Sequence, residues 1–269
     1  MTAFARRVAE ITGAEEGRLE RLAGGDLSEV LLLRRPDGRC TVAKSGPAAS
    51  TEAAMLRLLT GSGVPAPSVE GEHGTVLLLE HVPNDGVFSP LAWSSIGHAA
   101  RDLHAQVGDL YGWPVDYGLG TVDLDNRQTQ DWPSFWSEHR LVATSRTLDR
   151  PWRERVAAVA DRMPELLPKT PPASLLHGDL WSGNILVKAG KLAALIDPAC
   201  YYGHAEVDLA MLTLFDTPPE EFWSAYGALE AGWEERRSVY QLFPALVHLR
   251  LFGPSYGGMV DRLLSRLGV

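Results

Sequence analysis

With 269 residues, 45% of them hydrophobic and 22% charged, the chain has an ordinary globular composition and enough length for one large domain or two lobes sharing a cleft. No apolar run approaches the roughly 20 residues that span a bilayer, which argues against a membrane protein. A formal net charge of −9, with no run of Lys or Arg, argues against nucleic acid as a partner.

The first twenty residues read as an amphipathic helix with scattered charges, not as a signal peptide, so cytoplasmic residence is expected. From about Leu19 to Leu79 the pattern is mainly strand. EVLLLR (29–34) and CTVAK (40–44) flank the turn RPDGR, a β-hairpin signature. STEAAMLRLLTGSG follows as a helix, with Ser50 or Thr51 as its expected N-cap. TVLLLEHVPN (75–84) predicts a buried strand that leaves through a hinge.

Beyond residue 90 the periodicity becomes helical. LAWSSIGHAARDLHAQV places Ile96, Ala99, Leu103 and Val107 on one predicted face. Further helices are predicted at 132–148, 152–167, 219–230 and 239–252, the last kinked or started late by Pro244. One β interruption is expected among them, a hairpin in 184–197 around the turn AGK. The expected fold class is therefore α+β and bilobal: a β-rich N-terminal lobe over 1–82 and a mainly helical C-terminal lobe over 83–269. Cys40 and Cys200 are too few and too far apart for a disulfide framework and read as free thiols.

The polar segment HGDLWSGN (177–184) feeds the 184–197 hairpin. Asp179 and Asn184 stand five positions apart, the spacing of the kinase loop in which Asp orients or deprotonates the acceptor and Asn binds magnesium. Asp197, after an apolar strand, is the candidate second magnesium ligand. Upstream, Gly24 and Gly25 in AGGDLSEV are candidates to bring backbone amides to phosphates. Lys44 closes an apolar strand and is one of only four lysines, and Glu52 is placed to hold it by an ion pair. Glu80, His81 and Val82 form the hinge whose backbone would meet an adenine edge. Trp181 and His248 are candidate substrate contacts, whereas His104 and His177 read as structural. ATP and Mg2+ are the expected cofactors.

HGDLWSGN, followed by IDPACYYGHAEVDLAMLTLF (196–215), resembles the fructosamine kinase family within the aminoglycoside phosphotransferase-like kinases. The resemblance runs through GGDLSEV, Lys44, Glu52, GWPVDYGLGTVDLDN (112–126) and DWPSFWSEHRL (131–141) to YQLFPALVHLRLFG. It implies a bilobal kinase-like fold, ATP with magnesium, and phosphorylation of a sugar hydroxyl, typically O3, on a small-molecule or protein-bound ketosamine. Asp179 then corresponds to the base, Asn184 and Asp197 to the metal ligands, Lys44 and Glu52 to the phosphate clamp, Trp181 and His248 to the sugar pocket, and Asp208 to a structural anchor. Two departures flank the acceptor side: Ala205 where the family often has Arg, and Asp216, Thr217 and Pro218 in place of Gly-Gly-Phe. The alternatives are a kinase of an aminoglycoside or amino alcohol and a catalytically silent kinase-like binding module. A monomer is the expected state.

Overall fold

The structure, a computed structural model, describes residues 2–22 and 28–269. Gly24 and Gly25, the expected phosphate loop, lie outside the described residues.

Helix α1 (Ala3–Thr12) is capped by the Thr2 hydroxyl, which accepts the Ala5 N–H at 3.1 Å. Strands β1 (Leu19–Arg21), β2 (Val30–Arg34), β3 (Cys40–Ser45), β4 (Val69–His73) and β5 (Val76–Glu80) form one antiparallel sheet in the order β1-β2-β3-β5-β4. The turn between β2 and β3 is closed by Gly38, at φ +84°, and by the Asp37 carboxylate, which accepts the Arg39 N–H. Both faces of β5 are buried. Val76 and Leu78 pack with Leu31 and Ala43 under α1, while Leu77 and Leu79 meet Ala53 and Leu56 of helix α2 (Ala49–Gly61), the alternation that a period-2 strand imposes.

Helix α2 begins two or three residues earlier than the cap signals at Ser50 or Thr51 imply. Its N-cap is Ala48, without a side-chain bond, and Ser50 and Thr51 lie inside the helix. Glu52 therefore occupies the first turn, buried and turned toward the sheet.

After β5 the chain runs through residues 81–89 to α3 (Pro90–His104), where the Ser89 hydroxyl caps the helix and Pro90 occupies its first position. The buried face of α3 is Ala92, Ile96, Gly97, Ala100 and Leu103. Val107 is not part of it: the helix has ended and Val107 is 59% exposed. A Cβ at Gly97 would strike the Phe222 carbonyl, and this small residue lets α3 lie against the later helix Glu220–Tyr226.

The C-terminal lobe carries more β structure than the single hairpin expected. Strands β6 (Tyr117–Leu119) and β7 (Val122–Leu124) pair, as do β8 (Ser174–Leu176) with β11 (Tyr201–Gly203) and β9 (Ile185–Lys188) with β10 (Lys191–Leu195). Segments of three residues are too short to show alternation in sequence. Residues 132–145 are helical throughout: α4 (Trp132–Ser134), a π-helical stretch (Phe135–Val142) and α5 (Ala143–Ser145). The predicted 152–167 helix is two, α6 (Arg150–Ala160) and α7 (Met163–Leu166). Helices α8 (Glu206–Phe215), α9 (Glu220–Tyr226), α10 (Trp233–Phe252) and α11 (Gly257–Arg266) complete the lobe. Pro244 neither delays nor ends α10, which starts six residues before Val239 and is buried along most of its second half.

Arg140, fully buried, ties three distant segments together. Its guanidinium donates to the Asp125 carbonyl and the Asn126 Oδ1, each at 2.7 Å, and lies 4.2 Å from the Tyr201 ring and 4.6 Å from that of Phe135. Cation–π contact and hydrogen bonds to neutral oxygens replace the carboxylate that a buried cation otherwise demands.

Candidate active site

HGDLWSGN is a loop between β8 and β9 in which nearly every residue has a visible task. Gly178 has φ +82°, and a Cβ there would run into the Ala199 carbonyl, so glycine is required twice over. The Asp208 carboxylate, at the start of α8, accepts the N–H groups of His177 (2.7 Å) and Gly178 (2.9 Å) and faces His104 Nε2 at 3.1 Å. Burial opposes its charge, but the His104 bond and these donors prevail and hold the carboxyl below its ordinary value.

His177 is buried, with Nε2 donating to the Ile196 carbonyl at 3.0 Å and Nδ1 accepting the Asp179 N–H at 3.3 Å. Burial lowers its pKa, and the two bonds fit one neutral tautomer. The ring thus links Asp179 to the residue before Asp197, a structural task. Leu180 enters the core, while the Trp181 indole lies over Gly183, where a Cβ would collide with it. The Ser182 N–H donates to Asp216 Oδ2 at 2.9 Å. Asp216, just after α8, therefore holds the HGDLWSGN loop.

Asn184 is buried, and its Nδ2 donates to both the carbonyl and Oδ2 of Asp179, each at 2.9 Å. This leaves Asn184 Oδ1 without a partner among the described residues. The Asp179 carboxyl is half-buried and pushed up to about 7, chiefly by burial, with Asp197 and Asp208 adding to the effect and Asn184 and Lys44 opposing it.

Lys44, on the sheet between Val30 and Leu77, places Nζ 2.8 Å from Glu52 Oε1 and 2.9 Å from Asp197 Oδ1. Burial works against both charges of the Lys44–Glu52 pair. The two carboxylates overcome it at Lys44, whose pKa is raised; at Glu52 burial prevails over Lys44 and raises the carboxyl. Asp197 adopts φ +54°, a left-handed conformation that is strained for a non-glycine residue and sets the direction of its carboxylate. With Oδ1 on Lys44, its Oδ2 has no partner among the described residues. Two free oxygens, from a carboxylate and an amide, are the donor set a hard cation takes, so the residues present fit a magnesium ion.

The hinge candidates lie at the end of β5. The Glu80 side chain accepts from the Ser68 N–H and hydroxyl and its own N–H donates to the Ser68 carbonyl at 2.9 Å, leaving its carbonyl for a ligand, and the His81 N–H makes a long 3.4 Å contact to the Cys40 carbonyl. The Val82 N–H has no partner among the described residues.

His248 and Asp179 line one narrow cavity of about 20 Å³, together with Leu119 and Met211. His248 Nδ1 donates to the Pro244 carbonyl at 2.8 Å, and burial lowers its pKa, so its Nε2 is a bare acceptor. Phe215 joins it to Trp181, with ring centroids 4.7 Å from His248 and 5.9 Å from Trp181. Leu119 and Tyr117, on the β6–β7 hairpin, escaped individual notice in the sequence. Burial, followed by the charges of Glu52, Asp197 and Asp179, raises the Tyr117 hydroxyl. The available signal was the aromatic and glycine pattern of GWPVDYGLG, which spacing alone does not assign.

The model of the family described as fructosamine kinase matches residues 1–268. A curated "probable ketoamine kinase" of Enterococcus faecium is 36% identical over 208 residues, covering 73% of each chain. A crystal structure described as a "putative fructosamine-3-kinase" from Thermobifida fusca superposes with a TM-score of 0.87 at 29% identity, covering 98% of both chains. An aminoglycoside phosphotransferase, solved in ternary complex with AMP-PNP and hygromycin B, gives a TM-score of 0.65 at 16% identity over 99% of this chain and 97% of its own. That last likeness is one of fold alone.

Proposed function

We infer, because this chain belongs to the fructosamine kinase family, that it is an ATP-dependent phosphotransferase acting on the sugar hydroxyl of a ketosamine, with O3 as the acceptor. The observation that carries the reading is the convergence of Asp179, hydrogen-bonded to Asn184, with the Lys44–Asp197 pair beside the cavity shared with His248. That set holds one candidate for each task of phosphoryl transfer.

Lys44 would bind phosphate oxygens of the nucleotide, held ready by Glu52 and Asp197. Asn184 Oδ1 and Asp197 Oδ2 would hold magnesium, whose charge offsets that on the phosphates. The backbone at Glu80 to Val82 would receive the adenine edge. Asp179 would orient the acceptor hydroxyl and take its proton as the oxygen bonds to the γ-phosphorus and the bond to the β–γ bridging oxygen breaks. A carboxyl raised toward neutrality serves that exchange. The sugar would lie against Trp181, with His248 Nε2 accepting from one of its other hydroxyls.

The test is Asp179→Asn assayed with a fructosyl-lysine or ribulosyl-lysine donor of the acceptor hydroxyl. Turnover is expected to fall by about 10²–10⁴ while AMP-PNP binding stays near that of the unaltered protein. A variant with near-native turnover sinks the assignment. Phosphorylation of an aminoglycoside in preference to every ketosamine in a panel sinks the substrate class.

A further inference from the structure

A second cavity lies apart from the one at Asp179. It measures about 380 Å³ and lies between the C-terminal end of α8, α9, α10 and α11. Arg237, Arg262 and Arg266 line it, with Trp223 and Met259 as its aromatic and apolar walls and Asp216 at one side. In a chain of net charge −9, three guanidinium groups around one cavity stand against the overall balance.

Nearby carboxylates do not neutralise them all. Glu234 pairs with Arg237 at 2.8 Å. Asp261, next to Arg262 in sequence, is turned away to Arg155 (2.6 Å) and the Trp152 indole N–H (3.0 Å). Arg262 and Arg266 form no ion pair among the described residues, and their i, i+4 spacing on α11 puts them on one face. Trp223 is fixed by its own N–H, which donates to the Pro218 carbonyl at 3.1 Å.

The segment after α8, Asp216 to Pro218, contributes this cavity's wall, and Asp216 also accepts the Ser182 N–H of the HGDLWSGN loop. We propose that the cavity is a binding site for a small dianion, a phosphate monoester or a dicarboxylate on an apolar body, and that Asp216 relays its occupancy to the catalytic loop. Two guanidinium groups one turn apart offer paired donors to such a group, and Trp223 and Met259 receive the body.

Calorimetric titration at fixed ionic strength, with AMP-PNP filling the nucleotide site, tests the binding. Phenyl phosphate and phthalate are the two probes and phenol is the uncharged control. At least one dianion is expected to bind the native protein with unit stoichiometry and the R262Q/R266Q variant about tenfold more weakly, with phenol silent. The tighter of the two names the source of the charge. Equal affinity in both proteins, or no binding of either dianion, overturns the site. The relay is read as a shift of about twofold in KM for the ketosamine when the better dianion is present, absent in R262Q/R266Q. An unmoved KM overturns the relay. Only this kinetic arm rests on the kinase reading; ketosamine turnover without dianion reports on that reading separately.

Discussion

Asp208 accepts the backbone N–H of His177 at 2.7 Å across 31 positions of sequence, so the start of α8 fixes the path of the HGDLWSGN loop. Replacing Asp208 by Ala removes the acceptor for His177, Gly178 and His104 and leaves buried donors unpaired. A loss of about 3–5 kcal/mol in urea unfolding is expected. The native contribution of this group has a fixed sign with pH: its folded pKa is depressed, so its stabilisation is present above the ordinary value of 3.8 and is lost as pH falls through the folded value.

His204 adds an acid sensitivity at milder pH. It is buried against Tyr240, and burial, followed by Arg236 and His104, pushes its pKa down to about 3. Glu206 and Glu230 lie 3.8 and 3.7 Å from its ring nitrogens, beyond hydrogen-bond reach, and Arg236 engages both Glu206 oxygens, which keeps the ring neutral. Between about 3 and the ordinary 6.5 the unfolded chain binds a proton that the folded chain does not, so stability falls as pH falls. Unfolding at pH 4.5 against pH 7 should show a loss of about 3 kcal/mol from this group. His204→Gln should flatten that slope; an unchanged slope refutes the assignment.

Gly183→Ala separates the acceptor from the nucleotide. A Cβ there displaces the Trp181 indole, so KM for the ketosamine should rise by about tenfold or more while KM for ATP holds. Equal change in both constants contradicts the placement of Trp181 on the acceptor side.

Lys44→Met should have the complementary effect. Removing the ammonium leaves Glu52 buried without its partner and takes away the cation proposed for the phosphates, so a fall of about 10²–10³ in turnover with weakened AMP-PNP binding is expected. Steady-state kinetics with a nucleotide titration read both.

Much of this centre was legible in sequence because its parts sit on local signals. The Pro-Asp-Gly turn aligned the hairpin bearing Lys44, and the spacing of Asp179 and Asn184 reflects one loop closed by a side-chain bond. What spacing did not reveal was the long-range contact. Asp216 on Ser182 and Leu119 beside Asp179 exist only once α8 and the β6–β7 hairpin are packed. Val107 failed as a core residue because helix periodicity continues on paper past the point where the helix stops. Pro244 failed as a helix start because a tightly packed helix tolerates one missing N–H.

The burial of Arg140 carries a consequence for how this sequence can change. Asn126, Arg140 and Tyr201 come from three separate stretches of the chain, yet each completes the surroundings of the same guanidinium. A substitution at any one of them alters what the other two are worth, so their effects should be non-additive, with a coupling of about 0.5–3 kcal/mol in double-mutant cycles. Drift at these positions is then epistatic: the three residues are constrained as a set, and a change tolerated at one depends on the residues present at the other two.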